Sequence, residues 1–193
     1  KPNFVDAYYN LSLIFNDLGK FKEAELYTRK VIEMNPNRAD AYYNLGHTLN
    51  NLGILKEAES SIRKAIEVKS DFANAHFTLG NILSKLGKHE EALIHWIKSV
   101  ELKPKDDKFV NGLARDLCYQ GKYELALKYL TNNKSDSSQS LYLGCLLSLN
   151  REKEFNEKYK ELTENKVCNA DIGAVIEHAN IIYGDKYKSP FCD

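Results

Sequence analysis

The sequence predicts an all-α fold, an α-solenoid of antiparallel helix pairs with a capping helix at its C-terminal end. Three observations carry that prediction. A helix-and-glycine phrase recurs at intervals of 34 residues, each copy carries apolar residues at helical spacing, and small residues recur at matched positions in both helices of a pair.

The phrases are "AYYNLSLIFNDLG" (7 to 19), "AYYNLGHTLNNLG" (41 to 53), "AHFTLGNILSKLG" (75 to 87) and "FVNGLARDLCYQG" (109 to 121). Their glycines, Gly19, Gly53, Gly87 and Gly121, keep the 34-residue interval, as do Ala24, Ala58, Ala92 and Ala126. No insertion interrupts the four copies. Within a copy, Tyr42, Leu45, Gly46 and Leu49 fall at i, i+3, i+4 and i+7, which sets them on one helical stripe. Tyr8, Leu11, Ser12 and Phe15 do the same, as do His76, Leu79, Gly80 and Leu83.

Each phrase-ending glycine marks a reversal, because a residue without Cβ enters the left-handed conformation cheaply. A second amphipathic helix follows in "FKEAELYTRKVIEMNP", "LKEAESSIRKAIEVKS" and "HEEALIHWIKSVELKP", with Pro36 and Pro104 as stops. The alanines on the second helix, and Gly46, Gly80 and Ala114 on the first, let the two approach closely. Ser12 takes that place in the first copy. A single pair cannot bury its own stripe, so the pairs must stack.

On these residues the chain resembles the tetratricopeptide repeat family, a 34-residue helix-turn-helix with W-x2-L-G-x2-Y, A-x3-F and P. Tyr42-x2-Leu45-Gly46-x2-Leu49 with Ala58-x3-Ile62 carries the likeness, and so does His76-x2-Leu79-Gly80-x2-Leu83 with Ala92-x3-Trp96 and Pro104. The resemblance implies a right-handed superhelix. It divides 1–136 into four repeats (5–38, 39–72, 73–106 and 107–136).

Residues 137–166 then read as a degenerate fifth repeat. Leu143, Gly144 and Leu147 keep the spacing, but Arg151 stands at the turn glycine and Asn156 at the small alanine, so a shifted turn is expected. The polar "TNNKSDSSQS" before it is expected to loosen the stacking. Residues 167–193 read as a capping helix and tail, with Ile172, Val175, Ile176, Ala179 and Tyr183 on one face.

Lys plus Arg (27) balance Asp plus Glu (27), so no field of one sign draws the chain to nucleic acid. No run approaches the roughly 20 apolar residues of a membrane span. Cys118, Cys145, Cys168 and Cys192 form no C-x-x-C, and buried free thiols in a reducing, cytoplasmic compartment are the expectation, against the rival of metal or redox chemistry. The chain opens on Lys1, which suggests a piece of a longer protein.

His89 and His95 lie six apart, the wrong spacing for one ion on one helix face, and His76 reads as a packed, hydrogen-bonded imidazole. No nucleophile elbow, phosphate-binding loop, dinucleotide fingerprint or H-E-x-x-H occurs. No catalytic residue, metal or cofactor is expected, and the chain reads as a non-enzyme.

In the family the first helix of each pair lines a concave groove, which places a candidate peptide-binding surface here on Tyr9, Asn10, Leu13, Tyr43, Asn44, His47, Phe77, Thr78, Asn81, Asn111 and Arg115. Tyr9, Tyr43 and Phe77 form a ring row at the repeat interval, and Asn10 and Asn44 begin an amide row. Asparagine weakens a helix interior, so its recurrence implies either duplicated ancestry or amides held out to a peptide backbone. The amide row resembles the asparagine ladder of protein O-linked N-acetylglucosaminyltransferases. It does not resemble the chaperone-tail clamp, which would need lysine and asparagine at Tyr9 and Leu13.

The function expected is a non-catalytic scaffold binding a protein or peptide segment, with the oligomeric state open. The rival reading is an accessory, substrate-recruiting part of a larger transferase or oxygenase. It rests on a weaker resemblance, from about residue 123 onward, to bacterial tetratricopeptide proteins that continue into a 2-oxoglutarate oxygenase-like domain. The H-x-D iron pair of that domain is absent from the chain.

Overall fold

A computed structural model of the chain describes residues 2–165, 167 and 170–188. Cys168, Cys192 and most of the "KSPFCD" tail lie outside the described residues. Every regular element among the described residues is an α-helix, and the fold is an all-α helical-repeat solenoid. Two compact units divide between Lys103 and Pro104, after three helix pairs.

The first unit holds α1 (Pro2–Asp17), α2 (Phe21–Met34), α3 (Ala39–Asn51), α4 (Leu55–Val68), α5 (Ala73–Lys85) and α6 (His89–Leu102). Each first helix packs on its own second helix, and α2 and α4 in turn pack on the next first helix. Gly53 sits at φ +77° between α3 and α4, and the Ile54 N–H donates to the Leu49 carbonyl at 2.9 Å, the six-residue closure of a Schellman turn. The same closure recurs from Lys20 to Phe15 and from Lys88 to Leu83.

Ala24, Ala58 and Ala92 are wholly buried where the two helices of a pair cross. Burial of the first-helix stripe deepens along the unit. Leu11 is 38% exposed, Leu45 5% and Leu79 0%, because α1 has a neighbouring pair on one side and solvent on the other. Between second helices, Glu25–Arg29–Glu57 repeats one unit later as Glu59–Arg63–Glu91, with Arg29 to Glu57 at 3.0 Å and Arg63 to Glu91 at 2.5 Å. These partly exposed triads set register more than stability.

The second unit holds α7 (Asp107–Tyr119), α8 (Tyr123–Leu130), α9 (Asp136–Ser148), α10 (Glu152–Glu164) and α11 (Ala170–Tyr183). α9 is its hub, packing against the other four helices through Leu143, Cys145 and Leu146, all fully buried. The fifth pair turns at Asn150 (φ +54°), and the Arg151 N–H, not a residue after it, closes the turn on the Leu146 carbonyl at 2.9 Å. The turn therefore lies one residue earlier than the spacing of Leu143, Gly144 and Leu147 implies.

That single-residue shift has a packing consequence. It places Leu143 and Phe155, both fully buried, where the earlier pairs have glycine and alanine. Asn156 is exposed, and a Cβ on Gly144 would meet nothing within 4 Å, so neither marks the crossing. α11 buries Ile172, Ile176 and Ala179 as expected, while Val175 and Tyr183 stay half-exposed. Its end is fastened by rings: Tyr187 meets Phe155 and Tyr159 edge-on, each at 5.2 Å between centroids, and donates its hydroxyl to Asn156 at 2.5 Å.

Candidate functional site

The candidate surface falls on both units, and each part is described within its own unit. In the first, α1, α3 and α5 carry nine of the expected residues. Asn10, Leu13 and His47 are exposed, Tyr9, Tyr43 and Asn81 half-buried, and Asn44, Phe77 and Thr78 buried. The last three correct the expectation that all of these side chains face solvent.

Asn44 explains its own burial. Its Nδ2 donates to Ser12 Oγ at 2.7 Å and to Thr28 Oγ1 at 3.2 Å, and its Oδ1 accepts from Asn16 Nδ2 at 2.8 Å. Thr48 Oγ1 extends the network to Asn16 Oδ1 at 3.0 Å. This amide therefore ties the second pair onto the first and has no face left for a peptide. Asn10, at the same repeat position, is exposed. The two members of the amide row thus differ in role, because Asn44 has a preceding pair to hold and Asn10 has solvent.

The ring row is shaped by residues that sequence reasoning missed. Each half-buried tyrosine is covered by the residue just before the next first helix. The Arg38 guanidinium lies 4.2 Å from the Tyr9 ring centre, held by Asp6 at 2.7 Å and Asp40 at 2.8 Å. One repeat on, Phe72 takes the place of Arg38 and packs on Tyr43 at 5.0 Å. Burial and the nearby Asp40 carboxylate push the Tyr9 hydroxyl above its usual range. The 34-residue spacing of Arg38 and Phe72 was the available signal.

Along the same helices, His47 tilts against Tyr43 at 6.4 Å and meets Asn51 Nδ2 through Nδ1 at 3.4 Å. Asn50 Oδ1 accepts from Lys85 Nζ at 2.9 Å, and Asn81 Oδ1 accepts from Trp96 Nε1 at 2.9 Å. Asn81 thus orients the indole. In the second unit Arg115 is exposed, while Asn111 accepts from Ser138 Oγ and so ties α7 to α9.

His76 is packed and hydrogen-bonded as expected, but its partner was not foreseen. Its Nε2 lies 3.1 Å from the Ser70 carbonyl, which can only accept, so Nε2 carries the proton and Nδ1 faces His95 Nδ1 at 3.0 Å as acceptor. Two neutral rings satisfy this arrangement and two imidazolium rings do not. Burial, His76 and Arg63 together depress His95, against the opposing pull of Glu91.

A histidine depressed in the folded state takes up its proton more readily unfolded. Its contribution is complete above the ordinary histidine range of about 6.5 and is lost as pH falls from there toward the depressed value. Urea midpoints of the wild-type chain are expected to fall more than those of His95→Gln between pH ~7.5 and ~5.5. Parallel pH profiles for the two would contradict the pairing.

The tetratricopeptide repeat family matches at residues 5–38, 27–60 and 73–106. PilF of Pseudomonas aeruginosa is 21% identical, with a TM-score of 0.74 over 94% of this chain and 85% of that one. The crystal structure of MamA is 20% identical, with a TM-score of 0.59 over 80% of this chain and 83% of that one. Both are likenesses of fold. A search of curated proteins finds no match.

The fold and its matched repeats define a helical-repeat solenoid of the kind that generally mediates protein interactions. Residues 5–60 and 73–106 carry tetratricopeptide repeats. No helix among the described residues is long and apolar enough to cross a membrane.

Proposed function

We propose that the chain is a non-catalytic scaffold whose first unit takes an extended segment of another protein along the exposed face of α1 and α3. The supporting observation is the pair Tyr9 and Tyr43, one repeat apart, each open on one side and covered on the other. Beside them Leu13 (37% exposed) and His47 offer apolar and imidazole contact, and Asn10 and Asn51 are exposed amides able to bond a peptide backbone. Half-covered rings in a polar setting are held in place before a partner arrives, so little freedom is lost on binding. Asn44, Phe77 and Thr78 have no part in this surface.

The probe is a peptide selected on the full chain from a random-sequence display library. Tyr43→Ala is expected to weaken it by about tenfold, ~1.4 kcal/mol. Leu13→Ala with His47→Ala changes exposed side chains and is expected to weaken it with an unchanged urea midpoint. Enrichment of no peptide, or equal affinity for all three chains, rejects the reading.

A further inference from the structure

Cys118 on α7 and Cys145 on α9, 27 residues apart in sequence, meet with their sulfurs at 3.1 Å. Both are free thiols. Two sulfurs in ordinary contact stand farther apart, and no group of three or more His, Cys, Asp or Glu side chains among the described residues could hold an ion. A disulfide needs the sulfurs at about 2.05 Å, a closure of roughly 1 Å that small side-chain rotations supply.

The two thiols are also unequal in a way that orders a reaction. Cys145 is fully buried in the hub helix, whereas Cys118 is partly open, beside the 87% exposed Tyr119. The contact with the Cys145 sulfur draws the Cys118 thiol below its usual range, against the opposing effect of burial. The same contact, with burial, drives Cys145 far upward. Cys118 is thus the sulfur that solvent and an oxidant reach first.

We propose that Cys118 and Cys145 are a reversible redox site, in which a hydroperoxide converts the dithiol into a disulfide that staples α7 to α9. The Cys118 thiolate attacks one peroxide oxygen; the O–O bond breaks, the other oxygen leaves as an alcohol or water after taking a proton, and Cys118 becomes a sulfenic acid. Cys145 then attacks that sulfur, the S–O bond breaks, and hydroxide leaves with the Cys145 proton as water. The dithiol loses two electrons and the peroxide gains them.

The position of the staple gives it a consequence. Between the two cysteines lie α8, of only 8 residues, and the polar connection from Thr131 to Ser135. Oxidation would bind α9 to α7 directly across the non-helical connection between α8 and α9. This inference does not depend on the peptide-binding face of the first unit.

The test is made on the full chain with hydrogen peroxide, blocking of remaining thiols, and tryptic digestion without reductant. Cys118 falls in peptide 116–122 and Cys145 in peptide 135–151. The expected result is these two peptides joined, lighter by two hydrogens, and separated again by dithiothreitol. The Cys168→Ser, Cys192→Ser double variant is expected to give the same linked pair, and Cys145→Ser a Cys118 sulfenic acid that dimedone traps. Both thiols still free after oxidation, or Cys118 linked only to Cys168 or Cys192, would overturn the proposal.

Discussion

Asn44→Ala is expected to lower the free energy of unfolding by about 2–3 kcal/mol, measured by urea titration, with no change in helical content of the remaining folded chain. The amide is 5% exposed and satisfies three neighbours at once. Truncation strands the Asn16 Nδ2 donor and removes an accepted bond from both Ser12 and Thr28. The two hydroxyls keep bonds of their own, Ser12 to the Tyr9 carbonyl and Thr28 to the Ala24 carbonyl, each at 2.7 Å. Those retained bonds hold the loss below the sum of three stranded groups, each worth ~1–3 kcal/mol. Alanine's better helix propensity returns well under 1 kcal/mol.

Asn10→Ala provides the comparison, since it alters the same repeat position at an exposed site. It is expected to change stability by no more than about 0.5 kcal/mol. Equal effects from the two substitutions would show that the amide network adds nothing to the stacking of the first two pairs. A large Asn44 effect confined to peptide affinity would instead return this residue to the binding surface.

The contrast between Asn10 and Asn44 shows where sequence reasoning reached its limit. The 34-residue interval made the pairs, the turn glycines and the close-approach alanines legible, because each depends on a residue's own helix and the helix paired with it. Whether a first-helix position faces solvent depends also on the neighbouring pair, which one helical wheel does not contain. Phe77 and Thr78 are buried, and the covering roles of Arg38 and Phe72 were hidden for that reason.

The His76–His95 and Cys118–Cys145 contacts were beyond periodicity altogether. His76 stands where the preceding copy has Tyr42, and His95 where it has Ser61, so the pair is unique to one repeat. The fifth pair was legible as a departure from the pattern. Its one-residue shift needed the positive φ of Asn150 and the closure by Arg151 to be located.

Gly80→Ala is expected to destabilise the chain by about 1–3 kcal/mol, although alanine is the better helix former by roughly 1 kcal/mol. The cause is the partner of this glycine. An added Cβ would lie 2.6 Å from Trp96 Nε1, 2.7 Å from Cδ1 and 2.9 Å from Cε2. The indole is a rigid plane, 4% exposed, and its N–H is anchored on Asn81 Oδ1, so it can retreat only by giving up that bond and its packing.

Gly46 makes the same crossing one repeat earlier against Ile62, where Cδ1 at 2.5 Å can swing about χ2, while Cγ1 at 2.5 Å and the Ala58 carbonyl oxygen at 3.1 Å must give by a smaller shift. Gly46→Ala is therefore expected to cost less than Gly80→Ala by at least ~1 kcal/mol, with the helix-propensity gain offsetting much of its strain. Urea midpoints of the two variants decide the matter, with indole fluorescence of Trp96 as a second readout. The emission is expected to shift in Gly80→Ala and to stay unchanged in Gly46→Ala. Equal midpoints would mean that the rigidity of the partner ring is not what requires a glycine here.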